Sequence, residues 1–463
     1  MCQIALRISH SHHVFKCMKH YLWALSLLPF FASAQGAQLF SGDSTATGIR
    51  FERTASWQQI QLQARKEGKY IFVDCYATWC GPCKMMAREV FPRKNVGDFM
   101  NAQFISVGVQ MDTSKNDDEF TKAWYADAYQ LKGQYKIAAF PTYLFFSPDG
   151  KIVHRFTGLL RDSDFIHVAK NAMDPNKQYY TLLDRYKRRD NMAERTGYLA
   201  DISRNIGNDS LAKVFAGVYI HEYLNGLSDD ELLNKRYLDR ATGFFSELRS
   251  DDKIFRLFYK QGKQIDRFMQ RPGLSKGIVC SIITREEVTP KLPKDKKAVL
   301  RQPDWANLSG TIREKFNKYY TDMVVLNAQV AWYAQRQQWP VFIHYWVTKN
   351  DRYGLDTAGV GWAIINNILN DYVLNYCNNK DTLNKAIKWE ELIVKAHPTQ
   401  QADIDTYAQL LYKVGRKSEA IGWEQKANDK ENHDAQKQKR EPNPGYKDTL
   451  DKMTTGNLTY KQE

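Results

Sequence analysis

Cysteine is scarce and uneven in this chain, with seven residues in 463. Cys2 and Cys17 fall in the first 35 residues, and the other five, Cys75, Cys80, Cys83, Cys280 and Cys377, cannot all pair. That count argues against a scaffold stapled by disulfides and for a working thiol pair plus buried singles. Past residue 35 no apolar run approaches the ~20 residues of a membrane-spanning helix, so the mature chain is expected to be soluble. Past residue 35 a second Cys or His pair at short spacing, which a tetrahedral zinc site needs, is missing too. The formal net charge is +14, but the surplus is scattered. Its clusters, Lys187-Arg188-Arg189, Lys294 to Lys297 and Lys437 to Arg440, read as solvated helix faces and tails. No basic stripe or recognisable fold supports nucleic acid as a partner, although a weak attraction to anionic membrane surface fits the charge. Core-forming residues are not lacking: 43% of the chain is hydrophobic and 13% aromatic, whereas a disordered chain is depleted in both. The length suggests about two to four domains.

The apolar run from Tyr21 to Phe31 follows Lys16 and Lys19 and ends in the small residues Ala32-Ser33-Ala34. This is the pattern of a signal peptide cut after Ala34, with Met18 as an alternative start and a retained membrane anchor as the alternative reading. Residues 35–48, rich in Gly, Ser, Thr and Ala, read as a flexible leader.

From Ser56 the pattern becomes that of a folded domain. Trp57, Ile60 and Ala64 recur at helical spacing behind a Ser cap, and Gly68 ends the segment. Tyr70 to Tyr76 is aromatic and β-branched, as a strand buried on both faces should be, with Asp74 the one charged interruption. Cys80-Gly81-Pro82-Cys83 opens a helix, for which Pro82 suits the first turn and Lys84 to Val90 supplies the continuation. A strand at 103–110, a helix over 117–131 on the face of Phe120, Trp124 and Ala128, and a hairpin joining 140–146 to 151–156 follow. A helix from Asp162 to Ala172 closes the domain, which the pattern bounds at 49–174.

From 175 to 432 amphipathic helical segments dominate. Ala386-Ile387-Lys388-Trp389-Glu390 recurs 34 residues on as Ala420-Ile421-Gly422-Trp423-Glu424, the period of the tetratricopeptide helix hairpin. The units read in this register span about 365–431, with Pro398, Ala402, Ala408, Gly415 and Ala427 at fitting positions. Residues 433–463 read as a polar tail that frays. Trp332, Tyr333, Trp339 and Trp346 read as helical core, with a peptide groove as the alternative. Cys75, Cys280 and Cys377 read as buried singles, a Cys280–Cys377 bridge being the alternative for the last two.

Disulfide exchange needs a thiolate, and a free cysteine with a pKa near ~8.5 supplies little at neutral pH. A cysteine at a helix amino terminus meets unpaired N–H groups and the positive end of the helix dipole, which favour the anion. Cys80 holds that position, and Cys83 lies about one turn deeper on the same face, within reach of a mixed disulfide at Cys80. Cys80 is therefore the expected nucleophile and Cys83 the resolving thiol. Two other readings of the motif are a zinc site, short of ligands, and a structural disulfide, whose small loop constrains the unfolded chain little.

The run Val73-Asp74-Cys75-Tyr76-Ala77-Thr78-Trp79-Cys80-Gly81-Pro82-Cys83-Lys84, together with Phe140-Pro141-Thr142, resembles thioredoxin over roughly residues 50–173. The resemblance implies an α/β thioredoxin fold, a central mixed sheet flanked by helices, ahead of the all-α, partly tetratricopeptide-like region. It implies that Pro141 forms a cis-proline loop beside the sulfurs, where backbone pairs with a bound peptide. Trp79, Gly81, Pro82, Phe140, Pro141 and Thr142 would then contact substrate, and Asp74 would be the buried carboxylate that accepts a proton from Cys83. A charge in a buried strand is costly and titrates with a raised pKa; an Asp at a solvated strand edge is the alternative. Two departures stand out: Gly108 occupies the position where small thioredoxins often carry a lysine, and the segment between Asp112 and Pro141 is longer. With these departures the sequence resembles exported thioredoxin-like domains of bacterial thiol:disulfide interchange proteins more than the smallest thioredoxins.

Together these features predict a periplasmic thiol–disulfide oxidoreductase that needs no cofactor beyond its own dithiol and no metal. Its partners would be proteins carrying disulfides or thiols, an upstream thiol reductase, and a peptide or protein on the helical region. A disulfide oxidase or isomerase is the enzymatic alternative. From another class, a helical-repeat adaptor with an accessory redox domain is the rival.

Overall fold

The structure is a computed structural model that describes residues 47–293, 302–357 and 359–460. The expected signal peptide, most of the expected leader and the Lys294–Lys297 cluster lie outside the described residues. The chain forms two compact units, one ending at Ser275 and the other starting at Lys276. Among the described residues no helix is long and apolar enough to cross a membrane.

The first unit is built on a five-stranded sheet in the order β1-β3-β2-β4-β5. The strands are β1 Phe51–Glu52, β2 Tyr70–Tyr76, β3 Phe104–Gln110, β4 Thr142–Phe146 and β5 Ile152–Thr157. β1, β3 and β2 run parallel, β4 is antiparallel to β2, and β5 is antiparallel to β4. Alternation along β2 sends Phe72 and Tyr76 to one face and Ile71, Val73 and Cys75 to the other, so a central strand covered on both sides reads as an apolar run. The first face packs Phe72, Tyr143 and Phe145 against Phe165, Cys80 and Cys83. The second packs Val73, Val107 and Leu144 against Ile60 and Ala64.

Helix α1, Trp57–Glu67, has the local chemistry its sequence promised. Ser56 and Gln59 form a reciprocal capping box, and Gly68 closes the helix in the left-handed conformation at φ 67°, where glycine has no Cβ to clash. Helix α2, Gly81–Met85, runs on into a π turn over Met86–Val90. Helix α3, Lys94–Gln103, and strand β1 were not anticipated; β1 is two residues long and has no period to read. The helix expected over 117–131 is two: α4, Glu119–Ala123, and α5, Tyr125–Gln134. The break falls at Trp124, which is buried and packs edge-on against Trp57 with ring centres 6.3 Å apart. Helix α6, Asp162–Met173, completes the sandwich.

The compact unit that holds the sheet runs on past the expected domain boundary at residue 174. Helices α7, Tyr179–Lys187, and α8, Ala193–Asn205, remain in the unit of the sheet. The Tyr179 N–H donates to His154 Nδ1 on β5 at 3.1 Å, and Asn205 bonds to the backbone of Thr157. β5 is the outer strand, and an open edge calls for such cover.

The second unit is helical. Trp332, Tyr333 and Trp346 are buried in it, and Trp339 lies against Tyr372 with ring centres 4.3 Å apart. Cys280 is buried with its thiol 3.3 Å from Met323 Sδ, and Cys377 is buried with its thiol 3.8 Å from the Asn379 carbonyl. Helices Lys380–Ala396, Gln401–Lys413 and Lys417–Gln438 pack in succession, with Ala386, Ala408, Ala420 and Ala427 buried between them. The tail expected to fray beyond residue 432 is folded: helix Pro444–Thr455 buries Met453, and the Tyr460 hydroxyl donates to the Gln409 carbonyl at 2.8 Å. Glu431, buried, accepts from Arg440 Nη1 at 2.5 Å and from the Asn443 N–H at 2.7 Å. One methionine, one tyrosine and an ion pair between buried Glu431 and exposed Arg440 anchor a segment whose composition alone reads as solvated.

Candidate active site

Cys80 and Cys83 sit where β2 hands over to α2. Cys80 is the N-cap of α2, and its Sγ accepts the Cys83 N–H at 3.1 Å, so a sulfur takes the place of the usual capping oxygen. Gly81 and Pro82 fill the first turn, where the missing proline N–H leaves nothing unsatisfied. The two sulfurs are joined in a disulfide, and both residues are about 2% exposed. Trp79, one residue earlier, is 70% exposed and sets its ring edge-on to Phe140, centre to centre 5.8 Å.

The Phe140–Pro141 peptide is cis. Thr142 Oγ1 donates to the Ala139 carbonyl at 2.8 Å and lies 2.9 Å from Thr157 Oγ1. The Gly158 N–H donates to the Pro141 carbonyl at 2.9 Å. Trp79 and Phe140-Pro141-Thr142 thus meet at one end of the sheet, beside the start of α2 that carries Cys80.

Asp74 is two residues before Tyr76 on β2, on the face that holds both cysteines. It is buried, and its Oδ1 has no hydrogen-bond partner. Its cross-strand neighbours are Gly108 on β3 and Tyr143 on β4. Burial without a cation raises its pKa to about 8. Gly108 borders a small cavity of about 20 Å³ that Tyr76, Gln110 and Phe120 also line. Cys75 lies on the opposite face, in the core of Val73 and Val107, and burial and then the nearby Asp74 charge push its thiol well above the ordinary range. Among the described residues no cluster of His, Cys, Asp or Glu is arranged to hold a metal.

Sequence reasoning missed three residues at this end of the sheet. Asp112, just past β3, accepts the Thr78 N–H at 3.0 Å and the Thr78 hydroxyl at 2.5 Å, bracing the loop that leads to Trp79 and Cys80. Lys132 on α5 donates to the Met111 carbonyl at 3.2 Å and lies 5.8 Å from the Phe140 ring centre. Met86 accepts the Leu160 N–H at 3.5 Å through its sulfur, tying α2 to the loop after β5. An acidic residue just beyond the carboxyl end of a buried parallel strand was a usable signal for Asp112, since sites in such sheets form there. No comparable pattern marks Lys132 or Met86.

Residues 57–172 match the thioredoxin-like domain family. The thiol:disulfide interchange protein DsbD of Pseudoalteromonas atlantica is 31% identical over 138 residues, 29% of this chain and 22% of that protein. The chloroplastic thioredoxin Y2 of Arabidopsis thaliana is 33% identical over 125 residues, 27% of this chain and 64% of that protein. The thiol-disulfide oxidoreductase ResA of Bacillus subtilis is 27% identical over 174 residues, 33% of this chain and 88% of that protein. The chain spans less than two thirds of the length of the first two relatives. With the sheet order above, residues 57–172 match a thioredoxin-like domain, and the helices from α7 onward lie beyond the matched residues.

Proposed function

We propose that the chain is an exported thiol–disulfide oxidoreductase that reduces or exchanges disulfides in periplasmic proteins through Cys80 and Cys83. The observation that carries this reading is the cap itself: Cys80 Sγ accepts the Cys83 N–H at 3.1 Å at a helix start. A sulfur placed there is stabilised as the anion by the amide and by the helix dipole. The Cys80 thiolate attacks one sulfur of a substrate disulfide and expels the other as a thiolate. Cys83, its proton passed to Asp74, then attacks Cys80 Sγ; the second substrate sulfur leaves reduced and the protein is left as the disulfide. Two electrons have gone to substrate, and an upstream dithiol reductase restores them.

Asp74 suits the part of proton acceptor because burial holds its pKa at about 8, close to operating pH. Trp79, Gly81, Pro82, Phe140 and Thr142 are read as the substrate rim, and the Pro141 loop, exposed at Ala138 and Ala139 and buried at Pro141 and Thr142, as the backbone-pairing segment. Export is supported by the apolar run Tyr21–Phe31 and the Ala32-Ser33-Ala34 site. The buried alanines at 386, 408, 420 and 427 support a tetratricopeptide-like reading of the later helices, a platform for a peptide or protein partner.

The Gly-Pro spacer favours the reductive direction. A redox titration of the purified protein is expected near ~−270 mV, and a potential above about −150 mV would replace the reductase by an oxidase. Cys83→Ala is expected to trap mixed disulfides that dithiothreitol releases, and Cys80→Ser to trap none. Equal trapping by both variants would remove Cys80 from the nucleophile's place.

A further inference from the structure

The outer edge of β5 ends beside the candidate active site, and a side chain from beyond the matched domain closes it. Asn205, the last residue of α8, accepts the Thr157 N–H through Oδ1 at 2.9 Å and donates through Nδ2 to the Thr157 carbonyl at 2.8 Å. A carboxamide offers one donor and one acceptor side by side, so Asn205 supplies to a single residue what a sixth strand would supply along the edge.

Thr157 is not an arbitrary point on that edge. Its hydroxyl is 2.9 Å from that of Thr142, which follows the cis-proline. The next residue, Gly158, at φ 122°, donates its N–H to the Pro141 carbonyl. Two residues further, the Leu160 N–H bonds to Met86 in the turn that continues α2 from the dithiol. The backbone Asn205 fixes is therefore bonded on one side to the segment read as the substrate-pairing loop and on the other to the helix of Cys80.

We propose that Asn205 is a positioning residue for the dithiol site: its two bonds to Thr157 hold the Pro141 loop in the geometry that accepts a substrate backbone. The inference rests on the oxidoreductase reading above. It implies that α8, outside residues 57–172, is part of the redox machinery. Loss of the carboxamide should weaken binding of polypeptide disulfides and leave the sulfur chemistry alone.

The test uses the full chain with dithiothreitol as reductant and two disulfides, insulin and the small aromatic 5,5′-dithiobis(2-nitrobenzoic acid). For Asn205→Ala, KM for insulin is expected to rise roughly tenfold, the size of one or two lost hydrogen bonds. The kcat, the rate with the aromatic disulfide and the pH profile of Cys80 alkylation should stay at wild-type values. Asn205→Asp, which sets a carboxylate oxygen against the Thr157 carbonyl, should be at least as impaired, and Asn205→Gln should recover part of the KM. An unchanged KM for insulin, or an equal fall with both disulfides, overturns the proposal. Amide exchange at Gly158 separates the two claims: faster exchange in Asn205→Ala supports positioning even if the wild type reduces neither disulfide, a result that would sink only the oxidoreductase reading.

Discussion

Asp74 is the residue whose environment most constrains the chemistry. Its folded pKa of about 8 stands above the ordinary aspartate value of 3.8, so the folded state holds its proton more tightly than the unfolded chain does. Stability from this source is complete below about pH 4, falls as pH climbs through the interval, and is lost above about 8. Asp74→Asn should therefore unfold in urea like the wild type at pH 4. At pH 9 it should be more stable by on the order of a few kcal/mol, while its resolution step loses the pH dependence centred near 8. Equal stability gain at both pH values would show that the carboxyl is not buried as described. Gly108 is its partner across the parallel ladder. Gly108→Lys should set an ammonium beside the carboxyl and lower its titration by about one unit or more, measurable by NMR. Both residues were legible in the sequence, Asp74 as a charge in an apolar strand and Gly108 as a departure from the family pattern. The lone Oδ1 and the equally unpartnered hydroxyl of Tyr143 on the neighbouring strand were not, because they depend on three strands meeting.

At the scale of elements, what was legible had a local cause. Ser56 and Gly68 mark the ends of α1 by capping chemistry that eleven intervening residues do not alter, and β2 declares itself through seven residues of one character. The misread elements take their form from distant partners: Trp124 breaks α4 from α5 by packing under Trp57, and Pro444–Thr455 is anchored through Met453. The loop from Ala77 to Cys80 belongs with these. It has no regular structure, and Asp112, 34 residues away in sequence, holds it through Thr78. Asp112→Ala should leave the Thr78 N–H without its acceptor and cost about 1–3 kcal/mol. It should also lower kcat/KM for a protein disulfide severalfold by letting Trp79 and Cys80 wander. Thr78→Val, which loses only the hydroxyl bond, should cost less; if it costs as much as Asp112→Ala, the backbone bond is not what braces the loop.

Across the whole molecule, buried carboxyls recur, and the helical unit has its own. The duplicated pentapeptide was legible as a repeat, but its final glutamates, Glu390 and Glu424, attracted no attention in sequence because glutamate on a helix is ordinarily solvated. Both are buried. Helix Gln401–Lys413 sends Asp403 toward Glu390 and Asp405 toward Glu424, two residues apart and hence on different sides of a helix flanked by two others. Asp403 also faces His397 at 3.6 Å, Asp405 accepts from Gln409 at 3.0 Å, and Tyr446 and Tyr460 lie near the Glu424 pair. Burial, then the facing aspartate, raises the pKa of Glu390 to about 9, and the same causes raise that of Glu424. Each folded value lies above the unfolded 4.5, so these helices are most stable in mild acid and lose stability as pH rises toward 9. The full chain should show faster amide exchange in peptides from 380–438 at pH 9 than at pH 6, after correction for intrinsic rates, with little change in peptides from α1 or β3. Replacing Glu390 and Glu424 together by Gln, which needs no proton to stay neutral, should flatten that difference. Should the double variant keep the full pH dependence, the titrating groups lie elsewhere, and the buried glutamates are already relieved by partners that survive their ionisation.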